Sequence, residues 1–349
     1  MLSREQARAR ETGPRSGGGT GSFDSIGKAL GAAGLLSLAV PERLGGAGLG
    51  PLATCVLLTE LGRRAVPGPI PATLASGVLP IARHGTEAQQ DRLLSGVDDG
   101  RVLTAALTEP SAPLTAAPAT RARRDGDALV ITGTKTGVPH AGLARDLLIP
   151  VSLAGGGTAV AVVASDADGL TREPAPPSGS GAAVLRLAEV RGEALGAPGD
   201  PEVLADLLRC ATAGLCALGD GALAGALALT AEHVRTREQF GRPLAAFQSV
   251  AGQLADVYVA SRTAHLATTA ACWRLDEGLD AADDLAVAAL WLTEQAPPAV
   301  HTCHHLHGGI GLDISYPLHR HLSMIKDVAR GLGGAGRAVD ALAERLAGR

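Results

Sequence analysis

The residues best suited to chemistry lie between Arg235 and Gln248, in the run Arg-Thr-Arg-Glu-Gln-Phe-Gly-Arg-Pro-Leu-Ala-Ala-Phe-Gln. Arg237 offers a forked cation to a pyrophosphate and Phe240 an apolar wall beside it. The same arginine also suits a helix C-terminus, where its charge complements the helix dipole. A second set lies downstream at His301, His304, His305 and His307, followed by Gly308-Gly309-Ile-Gly311. The glycine turn lets a backbone approach a ligand without side-chain obstruction. His301/His304 and His301/His305 have helix-face spacing, but no acidic ligand lies close by, so the histidines are not expected to bind a metal.

Long helices must position these groups. An Ala/Leu/Gly-rich segment runs from about Glu202 to His233, and a second, from Gln248 to Leu275, has Val250, Leu254, Val257, Tyr258 and Leu266 at helical spacing. Gly241 and Pro243 break the pattern between them, which predicts a helical hairpin whose connection carries the charges. Residues 1–21 end in a Ser/Gly-rich, flexible composition, and order is expected from near Phe23. Residues 22–101 read as helices, including Pro51–Arg64, Ala72–His84 and Glu87–Leu94, with a glycine-rich loop after Val40-Pro-Glu-Arg. No strand precedes that loop, so it is read as a turn and not as a phosphate cradle. Residues 102–200 hold short β-type runs, from Leu103–Thr108 to Ala183–Leu187, separated by Asp-Gly, Gly-Gly-Gly and Pro-Pro turns. Residues 201–349 return to helices, interrupted at Pro297-Pro298 and at the glycine turn.

Composition narrows the function. The chain has 349 residues, enough for two or three domains, and a core of Ala, Leu and Val, because only 2% of its residues are aromatic. A net charge of −4 gives no electrostatic footprint for nucleic acid. Cys55, Cys210, Cys216, Cys272 and Cys303 lack zinc or redox spacing and read as buried reduced thiols of a cytoplasmic protein. No signal peptide or membrane-spanning run is expected.

Motifs along the chain together resemble those of the acyl-CoA dehydrogenases. Val40-Pro-Glu-Arg-Leu-Gly-Gly-Ala-Gly, Gly85-Thr-Glu-Ala-Gln-Gln, Leu107-Thr-Glu-Pro, Arg237-Glu-Gln-Phe-Gly-Arg-Pro-Leu with Gln248, His307-Gly-Gly-Ile-Gly and Tyr316-Pro-Leu-His-Arg occur in the family's order. The resemblance implies an α+β multidomain fold with an N-terminal helical domain, a middle antiparallel β-domain and a C-terminal four-helix bundle. It implies FAD as cofactor, with Arg237, Phe240, Gln248, His305, Gly308 and Gly309 at the pyrophosphate and adenosine of a flavin whose ring lies largely on a neighbouring subunit. Thr108 is the residue expected to touch a flavin ring on this chain, while Glu109 is expected to shape a turn.

The same resemblance marks what is missing. Members of the family use a glutamate to remove the α-proton of an acyl-CoA thioester while flavin N5 accepts hydride from the β-carbon. The usual positions of that base fall here near Leu332 and near Ala211, so no catalytic residue is assigned. Asp206 and Asp220, the nearest acids, are read as helix-surface residues; His319 and His321 are read as a helix surface or subunit contact. Ser111-Ala-Pro-Leu replaces a flavin-binding Gly-Ser-Asp element, Gly137 stands in place of a flavin-packing aromatic, and Pro139 in place of a hydroxyl donor. The pattern resembles the small, base-less subunit of steroid-type actinobacterial acyl-CoA dehydrogenases, which implies an α2β2 complex with a catalytic subunit, or else a homo-oligomer. It further implies an acyl-CoA substrate and an electron-transfer flavoprotein or similar acceptor. Two alternatives stay open: a repurposed flavoenzyme of a biosynthetic pathway working without the base, and a non-catalytic scaffold.

Overall fold

A computed structural model describes residues 20–110, 112, 114–175 and 181–347. The expected flexible N-terminal stretch lies almost wholly outside the described residues, as do Ser111 and Pro113 of the run that replaces the Gly-Ser-Asp element. The chain forms two compact units, one gathering residues through Thr54 with Pro67–Leu208, the other Cys55–Val66 with the chain from Arg209 onward.

The first unit begins with helices α1 (Thr20–Ala32) and α2 (Pro51–Arg63), the second of which carries the chain into the other unit. A helical run, α3, comprises Ile70–Ala72, a π-helical segment Thr73–Val78, and Leu79–His84. Helix α4 (Glu87–Leu94) starts at a capping box in which Thr86 and Gln89 satisfy each other's backbone N–H groups. Gln89 also donates to the Ala194 carbonyl (2.7 Å), which fixes α4 to the end of the β-region.

Seven strands follow: β1 (Leu103–Ala105), β2 (Arg121–Asp125), β3 (Ala128–Val138), β4 (Asp146–Leu153), β5 (Thr158–Ala164), β6 (Leu170–Pro174) and β7 (Ala183–Ala194). Strand pairing runs β4-β2-β3-β7-β5 and returns to β4, so the sheet closes on itself, with β1 beside β4 and β6 beside β7. Most pairs are antiparallel, as expected, but β1 and β2 each join β4 in parallel. Within β4, Pro150 lies opposite Val160 of β5, while on the other side β1 pairs only with Asp146–Leu148 and β2 only with Ser152–Leu153, so no strand pairs with the proline there. Leu129, Ile131, Leu147, Ile149, Val151, Val163 and Leu185 fill the enclosed core. The run read as a strand through Thr108 ends at Ala105, because the residues after it turn around Glu109.

Helix α5 (Pro201–Thr236) enters the second unit and is followed by a two-residue ladder, β8 (Glu238–Gln239) with β9 (Arg242–Pro243). Helices α6 (Gln248–Asp276), α7 (Ala282–Leu290), α8 (Ala296–His307), α9 (Leu318–Gly331) and α10 (Gly334–Ala347) complete it. Pro297 and Pro298 open α8 after a π-helical segment, Trp291–Gln295, where a missing N–H costs least. Helices α2 and α5 cross at backbone contact: a Cβ at Gly62 would overlap the Leu218 carbonyl, and one at Gly221 the Thr59 carbonyl. By length and apolar composition α5 is able to cross a membrane, yet 67% of its most apolar window is buried inside the protein, as in a core helix. All five cysteines are buried and none is in a disulfide.

Candidate functional site

The Arg235–Gln248 connection is a tight hairpin. Phe240 and Gly241 occupy its tip with φ of 54° and 74°, the left-handed pair that a two-residue turn of this twist requires. Glycine adopts it freely, whereas Phe240 is strained there and leaves its ring 92% exposed. Phe247 meets that ring edge-on at 6.2 Å and lies under the Arg242 guanidinium, 4.0 Å from its centroid. Arg235 is paired with Glu232 (2.7 Å). Arg237 is exposed, and its guanidinium makes no hydrogen bond or ion pair among the described residues. Its backbone is fixed nonetheless, the N–H donating to the His233 carbonyl (2.8 Å) and the carbonyl accepting from Leu244 (2.8 Å). Gln248 is exposed at the start of α6.

The glycine turn is one short 3-10 helix, Gly308–Leu312, at the end of α8. Gly308 has φ 61° and ψ −141°, a conformation that a side chain resists, and a Cβ at Gly308 or Gly309 would meet nothing within 4 Å. His305 is exposed one turn earlier. His304 donates from Nδ1 to the Gly311 carbonyl (2.9 Å), which leaves its buried Nε2 without a partner. His307 is buried between its own helix, Tyr316 and His233. The His233 and His307 rings stack at 4.4 Å and 17°, which brings the two motif regions together. Sequence reasoning missed His233; its only signal is its place one helical turn before Arg237. An unpaired forked cation, an approachable glycine turn and an orphaned imidazole nitrogen suit the phosphate and base ends of a dinucleotide.

Thr108 lies in the other unit, half-buried, with its carbonyl accepting from Thr136 N–H (2.9 Å). Beside it Glu109 is buried and accepts from Ala119 N–H (2.6 Å), Thr120 N–H (2.9 Å) and Lys135 Nζ (2.7 Å). Burial alone would raise its pKa, but the donors from Lys135, Thr120 and Ala119 hold it at about 2. Glu109 is thus a fixed anion around which the loop turns.

Ala211 and Leu332 are both buried. A Cβ at Gly331, beside Leu332, would come within 3.0 Å of Leu215, one turn beyond Ala211, so an apolar side chain occupies the space there. Asp206 and Asp220 correct the surface reading, because both are buried. Asp206 accepts from Arg83 (2.7 Å) and His84 (2.8 Å); burial opposes ionisation, but these bonds hold its carboxyl well below the usual range. Asp220 accepts from His265 Nδ1 (2.9 Å), and burial outweighs that bond to raise its pKa. His321, read as a helix-surface or subunit-contact residue, is also buried, against α5, where Gly225 makes room for its ring.

A family model for the acyl-CoA dehydrogenase N-terminal domain matches residues 13–101, and one for the C-terminal domain matches residues 205–347. Acyl-CoA dehydrogenase FadE28 of Mycobacterium tuberculosis is 46% identical over 91% of each chain, and FadE27 of the same organism is 36% identical over 87% of this chain and 83% of its own. Among solved structures, the Tcur3481-Tcur3483 steroid ACAD superposes with a TM-score of 0.89 at 38% identity, covering 98% of this chain and 92% of that one. The ChsE4-ChsE5 complex from Mycobacterium tuberculosis gives 0.86 at 32%, covering 98% and 91%. The chain is therefore a member of the acyl-CoA dehydrogenase family, whose proteins are FAD-binding flavoproteins and oxidoreductases.

Proposed function

We propose that the chain is the base-less subunit of a heteromeric acyl-CoA dehydrogenase, acting with a catalytic partner in the α,β-dehydrogenation of an acyl-CoA thioester. The observation that carries this reading is the contrast on α5 and α9: apolar residues fill both positions where the family places its base, while the Arg237 corner stays open and cationic. Asp206 and Asp220 are no substitutes, being buried and hydrogen-bonded to Arg83, His84 and His265. In this reading Arg237 holds the pyrophosphate, Phe240 and Gln248 flank it, and His305 with Gly308 and Gly309 borders the adenosine. FAD supplies the hydride acceptor when bound. The α-proton leaves to a base on the partner, and an electron-transfer flavoprotein or similar carrier takes the electrons. Relatives solved as two-component assemblies, one of them a steroid ACAD, support an α2β2 complex and a bulky acyl group.

The test is turnover of acyl-CoA substrates with an electron-accepting dye, using this chain alone and co-expressed with a catalytic homologue. Activity is expected only in the co-expressed sample. Equal activity from this chain alone would overturn the proposal.

A further inference from the structure

The cation and the glycine turn of the corner lie on separate segments of chain, yet a nucleotide needs them at one fixed spacing. What links them is a column of rings. His307 is 5% exposed, and its Nδ1–H donates to the Cys303 carbonyl (2.7 Å), which fixes the tautomer. Its Nε2 therefore carries the lone pair and accepts the Tyr316 hydroxyl (3.1 Å). On its other face lies the His233 ring, and the His233 carbonyl holds the Arg237 N–H. Gly308 follows His307 directly. A displacement of either ring thus reaches both halves of the corner.

From this geometry we infer that His233 and His307 are positioning residues, a neutral imidazole stack that sets Arg237 against the Gly308–Gly309 turn so that the corner grips a dinucleotide diphosphate. The inference rests on the nucleotide reading of the corner given above. The surroundings require neutral rings. Arg237 lies beside His233 on α5, where Glu232 is occupied by Arg235. Helix α8 contributes His301, His304 and the buried thiol of Cys303; Tyr316 and then His319 and Arg320 follow. Asp313, the acid of the intervening loop, is engaged by Ser315. Burial, and then the Arg237 charge, lower the pKa of His233; burial lowers that of His307, against the bond to the Cys303 carbonyl, which favours its proton, and a charged His233 ring would add to the depression. Protonation would place two cations face to face next to a third.

The experiment compares the parent, His233→Ala, His233→Phe and Arg237→Ala, each co-expressed with the catalytic homologue and stripped of flavin. FAD affinity is titrated from pH 5 to 8, and hydrogen exchange is followed in residues 237–248 and 308–316 without FAD. His233→Ala is expected to weaken FAD binding about three- to tenfold at pH 7.5, the worth of one ring stack, and to speed exchange in both segments. His233→Phe, which keeps a ring but cannot charge, should restore affinity and protection and shift the acid loss of affinity to lower pH. Parental exchange in both segments of His233→Ala, or a His233→Phe variant as weak as His233→Ala, overturns the stack. Unchanged FAD affinity in Arg237→Ala overturns the nucleotide reading beneath it, whatever the histidine variants do.

Discussion

Two basic residues of this chain, Lys135 in the β-region and Arg237 after α5, lie in motifs of the same family and end in opposite situations. Lys135 is fully buried, and its charge is consumed by Glu109, which also takes two backbone N–H groups. Arg237 is exposed on a strained hairpin and pairs with nothing among the described residues, although the neighbouring arginines are paired with Glu232 or stacked on Phe247. The difference separates charge that holds the fold from charge held ready for something outside the chain. Around Lys135 lies the loop that the family resemblance would set against a flavin, with Gly137 and Pro139 at the places of an aromatic and a hydroxyl donor. Around Arg237 the side chains stay exposed, as the proposed nucleotide site requires.

Lys135→Met breaks this comparison hardest. It strands the Glu109 carboxylate in a buried site, at a cost of about 3–5 kcal/mol, which denaturant unfolding will register as a lowered midpoint. The Arg237 corner should be untouched by it.

Acid separates the two regions next. Burial depresses the pKa of His321 from its ordinary value to about 4, so the folded chain binds fewer protons than the unfolded one. Its contribution is complete above about pH 6.5 and is lost as pH falls toward 4, a change of about 3 kcal/mol. Glu109, held at about 2, keeps its contribution above pH 4.5 and loses it only as pH falls toward 2. Hydrogen exchange between pH 6.5 and 4.5 should therefore loosen α5 and α9 around His321 while the loop around Glu109 stays protected, and His321→Leu should flatten the response.

Arg237→Ala sharpens the comparison from the other side. As an exposed, unpaired side chain it should contribute less than about 0.5 kcal/mol to stability. Its removal should nonetheless weaken FAD binding to the complex by about ten- to a hundredfold, the worth of a charge-assisted contact. Differential scanning calorimetry and a flavin titration give the two numbers.

Much of the framework was legible in the sequence because its signals are local. The threonine cap fixes the start of α4, the turn chemistry of Asp125-Gly126 closes β2 onto β3, and the proline and glycine between His233 and Gln248 mark the hairpin. The buried acids were not legible. Asp206 meets Arg83 and His84 more than a hundred residues away, and Asp220 meets His265 on another helix, partners that nothing near either acid in the sequence announces, so the sequence alone places both on a helix surface. His321 escaped for the same reason, since Gly225, which makes room for it, is a single glycine in an Ala/Gly-rich helix. The candidate site residues come from motif resemblance, but the stack between them depends on two rings 74 positions apart, His233 and His307, that no motif pairs.

The central claim is that this chain completes a flavin site it does not run alone, and the most direct measurement is the FAD content of the complex isolated with its catalytic homologue. One FAD for each pair of unlike chains, with little flavin retained by this chain purified alone, is the expected result. One FAD for every chain, or a fully loaded homo-oligomer of this chain, would contradict it.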